Sequence, residues 1–85
     1  MTPVPHLDVR IRNYRGTLIL SRADTSLELT DVAALVWRLM DGSRSVDQIA
    51  EVIATEYAID LQTATDDTSE LVQTLVTGGM VELTD

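Results

Sequence analysis

Residues 26–42 have the sequence SLELTDVAALVWRLMDG, in which the spacing of the apolar side chains changes at Thr30. Before Thr30, Leu27 and Leu29 alternate with polar residues, as in a half-buried strand. After Thr30, the apolar side chains recur at the spacing of one helix face, at Val32, Leu35, Val36, Leu39 and Met40. Thr30 can cap this helix, and Gly42 can follow its end. The segment therefore predicts a short strand followed by a helix over about Asp31 to Asp41.

Two further strands are predicted upstream of this segment. Leu7 to Arg12 alternates apolar with charged residues, and Thr17 to Leu20 is a short, mostly apolar run. The turn sequences NYRG, residues 13–16, and RADT, residues 22–25, separate the strands and predict an antiparallel meander. Residues 1–6 contain both prolines of the chain, and we expect them to form a flexible tail.

Two further helices are predicted downstream. Ser45, followed three positions later by Gln48, is a capping-box sequence, and the helix after it continues to about Tyr57. Asp60 can cap a third helix, whose inward stripe is Leu61, Ala64, Thr68, Leu71, Val72 and Leu75. This helix ends at Gly78–Gly79, before a short extended segment. The order predicts one α+β domain over residues 1–85, with a three-stranded antiparallel sheet and then three helices, similar to a winged helix-turn-helix.

The length and composition exclude several classes of protein. The chain has 85 residues, no cysteine and a formal net charge of −8. The length leaves room for one small core, and the missing cysteines exclude disulfides and thiolate metal sites. No apolar run approaches the ~18 residues of a membrane span, and the N-terminus has no recognisable secretory signal. We therefore expect a cytoplasmic protein without a membrane partner.

The charges are unevenly distributed along the chain. Residues 1–22 hold four arginines and one aspartate, a net of +3, whereas residues 23–85 hold thirteen acids and two arginines, a net of −11. Arg10, Arg12 and Arg15 indicate either a solvated strand face or a phosphate contact. The predicted third helix has no lysine or arginine, so its acids would repel DNA. A winged-helix DNA-binding regulator remains an alternative, but we expect no nucleic-acid partner.

No catalytic or metal site is predicted from the residues. The only histidine, His6, lies in the expected tail, and the four glycines form no phosphate-loop motif. Asp66, Asp67 and Glu70 indicate a solvated face or a contact surface for a basic partner, because adjacent helical residues diverge too far to share a metal. We expect neither enzyme activity nor a cofactor.

The strand at residues 26–29 lies at one edge of the predicted meander. It has neither of the residues, lysine and proline, that commonly block an exposed edge. Two interpretations are open: a neighbouring helix covers the edge, or the edge accepts a strand from a bound peptide. In the second case, a proline at Leu27 should weaken binding if the backbone donor of that residue faces the peptide.

Three segments of the sequence resemble the PqqD-like family of peptide-recognition domains. These are ELTDVAALVWRLMDG at residues 28–42, SVDQI at residues 45–49, and the helix end from Leu75 to Val81. The resemblance extends from about Leu7 to Leu83. Members of the family are RiPP recognition elements, which act on ribosomally synthesised and post-translationally modified peptides. A domain of this size with the arginine-rich hairpin VRIRNYRG, residues 9–16, looks most like the standalone leader-binding proteins of lasso-peptide biosynthesis.

This resemblance implies a binding function without catalysis. The leader segment of a precursor peptide would be added as a strand beside the third strand, in a groove formed with the third helix. The implied peptide-binding residues are Ser26, Leu27, Glu28 and Leu29 on the strand and Asp67, Glu70, Leu71 and Thr74 on the helix. The implied partners are a leader peptidase and a cyclase or, alternatively, a radical SAM peptide-modifying enzyme for which the domain acts as a chaperone.

Overall fold

The computed structural model describes residues 1–84. Its elements, in chain order, are β1 Thr2–Pro5, β2 Arg10–Tyr14, β3 Thr17–Arg22, β4 Thr25–Leu29, α1 Asp31–Leu39, α2 Val46–Tyr57, α3 Leu61–Thr77 and β5 Val81–Thr84. Strands β2, β3 and β4 form an antiparallel meander, and three helices follow it, so the predicted α+β fold is confirmed. Among the helices of residues 1–84, none has the length and apolar character to cross a membrane.

The expected flexible tail at residues 1–6 is wrong, because these residues contain β1, which pairs antiparallel with β5. The prolines stand at alternate positions, Pro3 opposite Leu83 and Pro5 opposite Val81. The backbone N of His6 donates to the carbonyl of Met80 (3.0 Å), and this bond extends the ladder. In such a ladder, alternate residues direct their backbone groups to opposite sides. The backbone groups of Pro3 and Pro5 therefore face away from β5, where the missing N–H breaks no ladder bond and proline is tolerated.

Strand β2 also differs from its prediction. We expected a half-buried strand from Leu7 to Arg12, but the strand runs from Arg10 to Tyr14 and every residue in it is exposed. Ile11 lies opposite the buried Leu20 and faces the core side of the sheet, yet it is 53% exposed. Helix α1 packs on β3, so the outermost strand extends beyond the helical cover.

The core lies between one face of the meander and the three helices. The large side chains buried in it come from β3, from each helix and from the segment before β5: Leu20, Val36, Ile49, Ile53, Leu75 and Met80. Full burial of an aliphatic side chain of this size contributes roughly 1.5–3 kcal/mol. Of the predicted inward stripe of α3, Leu61 is wrong, because it is exposed in the first turn, beyond the edge of the core.

The predicted helix starts are largely confirmed. The Ser45 hydroxyl accepts a hydrogen bond from the Gln48 backbone N (3.1 Å), and the Gln48 side chain accepts one from the Ser45 backbone N (2.8 Å). Asp60 accepts a bond from the backbone N of Thr63 (3.1 Å). Thr30 occupies the N-cap of α1, but its side chain makes no capping hydrogen bond. The starts of α2 and α3 are therefore set by short-range side-chain caps.

The turn between α1 and α2 is built on Asp41. Its carboxylate accepts hydrogen bonds from the backbone N of Ser43 (2.9 Å) and of Arg44 (3.1 Å), and these bonds lower the pKa of Asp41 to about 2. The Arg44 guanidinium donates to the carbonyl of Leu39 (3.1 Å) at the end of α1. Arg44 thus joins the last turn of α1 to the segment that leads into α2.

Candidate functional site

The outer edge of β4 presents two unpaired backbone positions. The β3–β4 turn contains only Ala23 and Asp24, so the flanking residues Arg22 and Thr25 must exchange both of their backbone hydrogen bonds. Alternation along the strand then directs the backbone groups of Leu27 and Leu29 toward β3 and those of Ser26 and Glu28 away from it. No backbone group of residues 1–84 pairs with this outer side.

The four predicted residues of β4 therefore have different roles. Ser26 and Glu28 are exposed and offer an outward N–H and C=O each. Leu27 is half-buried, and its backbone donor faces β3, so a proline there would break the sheet before it tested the outer edge. Leu29 is 5% exposed, and its side chain packs into the core. The interpretation in which a helix covers this edge does not apply, because the outward residues are open to solvent.

The four predicted residues of α3 are brought together on one face of the helix. Asp67, Glu70, Leu71 and Thr74 follow the spacing of a single helical stripe and surround a shallow depression of about 300 Å³. Leu71 is half-buried against the core, whereas the two acids and Thr74 are exposed. The Thr74 hydroxyl donates to the carbonyl of Glu70 (3.1 Å). The depression thus has an apolar base between acidic side chains.

The C-terminal end of α3 lies against β4. A Cβ atom placed on Gly78 would be 3.2 Å from Cδ1 of Leu27, so the helix approaches the strand closely at a residue without a side chain. A methyl group at that position would press against Leu27, which borders the outer edge of β4. The outer edge of β4 and the exposed stripe of α3 are therefore parts of one surface, which we call the β4–α3 groove.

Arg22, which no pattern in the sequence singles out, joins three parts of the chain beside this groove. Its Nη1 donates to the carbonyl of Gly79 after α3 (3.0 Å), and its Nε donates to Asp8 (2.7 Å). The bond from Arg22 holds the pKa of Asp8 below its ordinary value. Arg22 and Gly79 are 57 positions apart in the sequence, so no local pattern indicates their contact.

Thr68 lies on the buried face of α3, which is turned toward the core and away from the groove stripe by about a quarter turn. It is 1% exposed, and within residues 1–84 its hydroxyl has no hydrogen-bond partner. A buried hydroxyl without a partner costs about 1–3 kcal/mol in desolvation, and valine has nearly the same shape without that group. We expect Thr68→Val to raise the free energy of unfolding by about 1 kcal/mol, measured by urea denaturation.

The control for this substitution is Thr65→Val on the same helix. The Thr65 hydroxyl donates to the carbonyl of Leu61 (2.8 Å), so this residue has no orphaned group to remove. A loss of stability in Thr68→Val, or an equal gain in Thr65→Val, would contradict the argument.

Most of the chain matches the model of one protein family. Residues 16–81 match the family model of coenzyme PQQ synthesis protein D, PqqD. This match spans β3, β4, all three helices and the first residue of β5, and thus includes both sides of the β4–α3 groove. Among curated proteins, no relative matches the sequence.

Several solved structures share the fold. A lasso peptide synthetase B1 complexed with its leader peptide has a TM-score of 0.85 at 21% identity, covering 98% of this chain and 100% of that one. The PqqD part of Methylobacterium extorquens PqqCD, described as a stand-alone RiPP recognition element, has a TM-score of 0.76 at 27% identity, covering 95% of this chain and 88% of that one. PqqD from Xanthomonas campestris has a TM-score of 0.67 at 29% identity, covering 98% and 94%. The chain belongs to the PqqD family.

Proposed function

We propose that this protein is a RiPP recognition element that captures the leader segment of a ribosomally made precursor peptide. The leader is added as a strand beside β4, in the β4–α3 groove, and is presented there to maturation enzymes. The observation that carries this proposal is the open outer edge of β4, where Ser26 and Glu28 direct backbone donors and acceptors to solvent. Added strands bind through such groups, and adjacent side-chain pockets select the sequence.

The relatives with the same fold support a leader peptide as the partner. The lasso peptide synthetase B1 structure contains a leader peptide, and the Methylobacterium domain is described as a functional recognition element on its own. The groove itself fits an extended peptide better than a compact ligand, since it is shallow and has an open strand edge on one side.

The side chains of the groove indicate what kind of leader fits. Leu27 and Leu71 are both half-buried at its base, the carboxylates of Asp67 and Glu70 are exposed beside Leu71, and that of Glu28 is exposed on the outer face of the same strand edge. Apolar leader side chains would bury further surface on the two leucines, at roughly 25 cal/mol per Å². Basic residues beside those apolar positions would complement the carboxylates. The expected leader is therefore an extended segment with apolar anchors and flanking arginine or lysine.

The same charges oppose the alternative of a DNA-binding regulator. In that alternative α3 would enter the major groove, but α3 exposes Asp66, Asp67 and Glu70 and has no basic residue. Affinity for nucleic acid comes mainly from cations that displace counterions from phosphates, and this helix would add repulsion.

In this function the protein binds the precursor peptide, and its partner enzymes carry out the chemical modification. A leader peptidase and a cyclase are the partners expected in a lasso-peptide pathway, and a radical SAM enzyme is the alternative. Leader capture raises the local concentration of the precursor at the partner enzyme by holding the two in one complex.

Titration with the leader half of the precursor encoded beside this gene tests the proposal. We expect a Kd in the micromolar range or tighter, about −8 kcal/mol, measured by calorimetry. Amide chemical shifts should change most at Ser26 and Glu28 and along the exposed face of α3. The control is a leader of the same composition in scrambled order. Equal affinity for the scrambled peptide, or shift changes away from β4, would contradict strand addition in this groove.

A further inference from the structure

The opposite edge of the same sheet, along β2, also presents unpaired backbone groups. The β2–β3 turn contains only Arg15 and Gly16, so the flanking residues Tyr14 and Thr17 exchange their hydrogen bonds. Alternation then directs the backbone groups of Ile11 and Asn13 outward. Within residues 1–84 no strand pairs with this side of β2. The leader proposal makes no use of this edge.

The two faces of β2 differ in chemistry. Ile11 lies opposite Leu20, and Asn13 lies opposite Leu18, so both belong to the core side of the sheet. There the uncovered end of the sheet leaves a depression of about 540 Å³, which is lined by the apolar side chains of Pro5, Ile11, Leu18, Trp37 and Met40 and by the polar side chains of Asn13 and Arg38. Trp37 is 7% exposed in this depression. The depression thus offers apolar side chains, with one cation among them, beside an open strand edge.

The other face of β2 is cationic. Arg10 and Arg12 alternate with Ile11 and therefore project from the outer face of the sheet. Within the described part of the chain, Arg10, Arg12 and Arg15 form no salt bridge, although Arg22 and Arg44 each do. The guanidinium of Arg15 lies over the ring of Tyr14, 5.3 Å from its centre. Guanidinium groups without a salt-bridge partner in residues 1–84 are thus concentrated along this edge, in a protein whose net charge is −8.

We propose that the β2 edge is a second docking surface, which accepts an extended acidic segment of a protein partner as an added strand. Successive side chains of a strand point to opposite faces, so alternate residues of this segment would meet Arg10 and Arg12 on one face and the apolar depression on the other. The partner segment therefore alternates carboxylates with large apolar side chains. It is distinct in charge from the leader, which the acidic β4–α3 groove selects.

A second copy of this chain does not provide that segment. Strand β4 has a suitable alternation of Leu27, Glu28 and Leu29, but Leu29 is 5% exposed and Leu27 is half-buried. Neither leucine is free to fill the depression on another copy. Pairing of β2 with β4 would also be a head-to-tail contact, which closes into a ring or continues as a filament. Pairing of β2 with β2 of another copy would bring the arginines of both strands together, which is unfavourable. The occupant is therefore a separate protein.

A synthetic probe tests this surface directly. The probe is a short peptide with blocked ends that alternates glutamate and leucine, and it is titrated at low ionic strength into the full chain. We expect shift changes at the amides of Ile11 and Asn13 and a change in the emission of Trp37, the only tryptophan. Binding should weaken as salt is added, because the contact includes exposed charges.

Variants separate this surface from the leader groove. The double variant Arg10→Glu, Arg12→Glu should weaken binding of the acidic probe by about tenfold, because two exposed attractive pairs become repulsive. The matched control Glu28→Gln removes a charge from the other edge of the sheet and should leave the affinity for the probe unchanged. Equal binding of a probe with lysine in place of glutamate would overturn the proposal, as would shift changes centred on Ser26 and Glu28.

Two further outcomes would assign the surface to another occupant and also overturn the proposal. In the first, a short DNA duplex shifts the Ile11 and Asn13 amides at low salt and the acidic peptide does not. In the second, dilution of the protein alone changes the chemical shifts of these amides, and sedimentation detects a dimer that dissociates in the Arg12→Glu variant. A second copy of the chain would then occupy the edge.

Discussion

Replacement of Glu28 by proline is expected to weaken leader binding by at least about 30-fold and to leave the protein folded. The Glu28 backbone N faces the open side of β4, so its loss breaks no bond to β3. Proline is tolerated at such outward positions of edge strands. The leader carbonyl that would accept this N–H is left without a partner, at a cost of about 2 kcal/mol, and the proline ring also obstructs its approach.

The measurement is calorimetric titration with the leader, together with far-ultraviolet circular dichroism to verify the fold. The matched control is Glu28→Gln, which removes the charge but keeps the backbone donor, and we expect it to change the affinity only a few-fold. Leader affinity retained in Glu28→Pro would mean that the leader is not added as a strand at this edge. An equal loss in Glu28→Gln would mean that the carboxylate is the main determinant.

The three helices and the side-chain caps of α2 and α3 were predictable because their signals are local. The Ser45–Gln48 capping box and the Asp60 cap each act within one turn, and the helical period emerges within the few residues after Thr30. The stripe of α3 that includes Leu71 follows from the same period. These features depend on residues no more than a few positions apart, so the chain order alone specifies them.

The first and last strands were not predictable in the same way. Pairing of β1 with β5 joins Thr2 to Thr84 across nearly the whole chain, and the prolines in β1 indicated a tail. A strand can contain these two prolines only because the register turns the backbone of both Pro3 and Pro5 away from β5. The exposure of β2 likewise depends on where α1 packs, which the alternation of Leu7 to Arg12 does not indicate.

The elements that form the candidate site were predictable, but the direction of each backbone donor was not. The third strand of the meander and the third helix both lie where the sequence predicts them. Which backbone donors point outward depends on the length and pairing of the β3–β4 turn, and this assigns the free donors to Ser26 and Glu28 and not to Leu27. The contact of Arg22 with Gly79 depends on tertiary packing alone.

The two edges of the one sheet are opposite in charge, and this has a consequence for assembly. Edge β4 lies beside the carboxylates of Glu28 and α3, whereas edge β2 carries Arg10 and Arg12. Like-charge contacts disfavour the wrong partner at each edge, which is a common source of specificity between similar binding modes. A basic leader and an acidic partner segment would thus be sorted to different edges, with β3 between them as a shared central strand.

Replacement of Arg22 by methionine is expected to lower both the stability of the domain and its affinity for the leader. The bond from Arg22 to the carbonyl of Gly79 is partly buried, and hydrogen bonds of charged groups contribute about 1.5–3 kcal/mol. The contact with exposed Asp8 adds little at neutral pH. We therefore expect the free energy of unfolding to fall by about 2 kcal/mol, measured by urea denaturation, and the leader Kd to rise by about tenfold.

The affinity effect follows from the position of Arg22 between the β3–β4 turn and the end of α3. Without the bond, α3 is free to shift relative to β4, and the leader must order the groove as it binds, which lowers its affinity. Arg44→Met is the matched control, because Arg44 also donates from a half-exposed guanidinium to a helix-end carbonyl, that of Leu39, but does so in the α1–α2 turn. Arg44→Met should lose stability and keep the leader affinity of the unchanged protein. If both variants lose affinity in proportion to their stability, Arg22 acts only as a general stabilising contact; if Arg22→Met alone loses affinity, the spacing of α3 from β4 determines how well the leader binds.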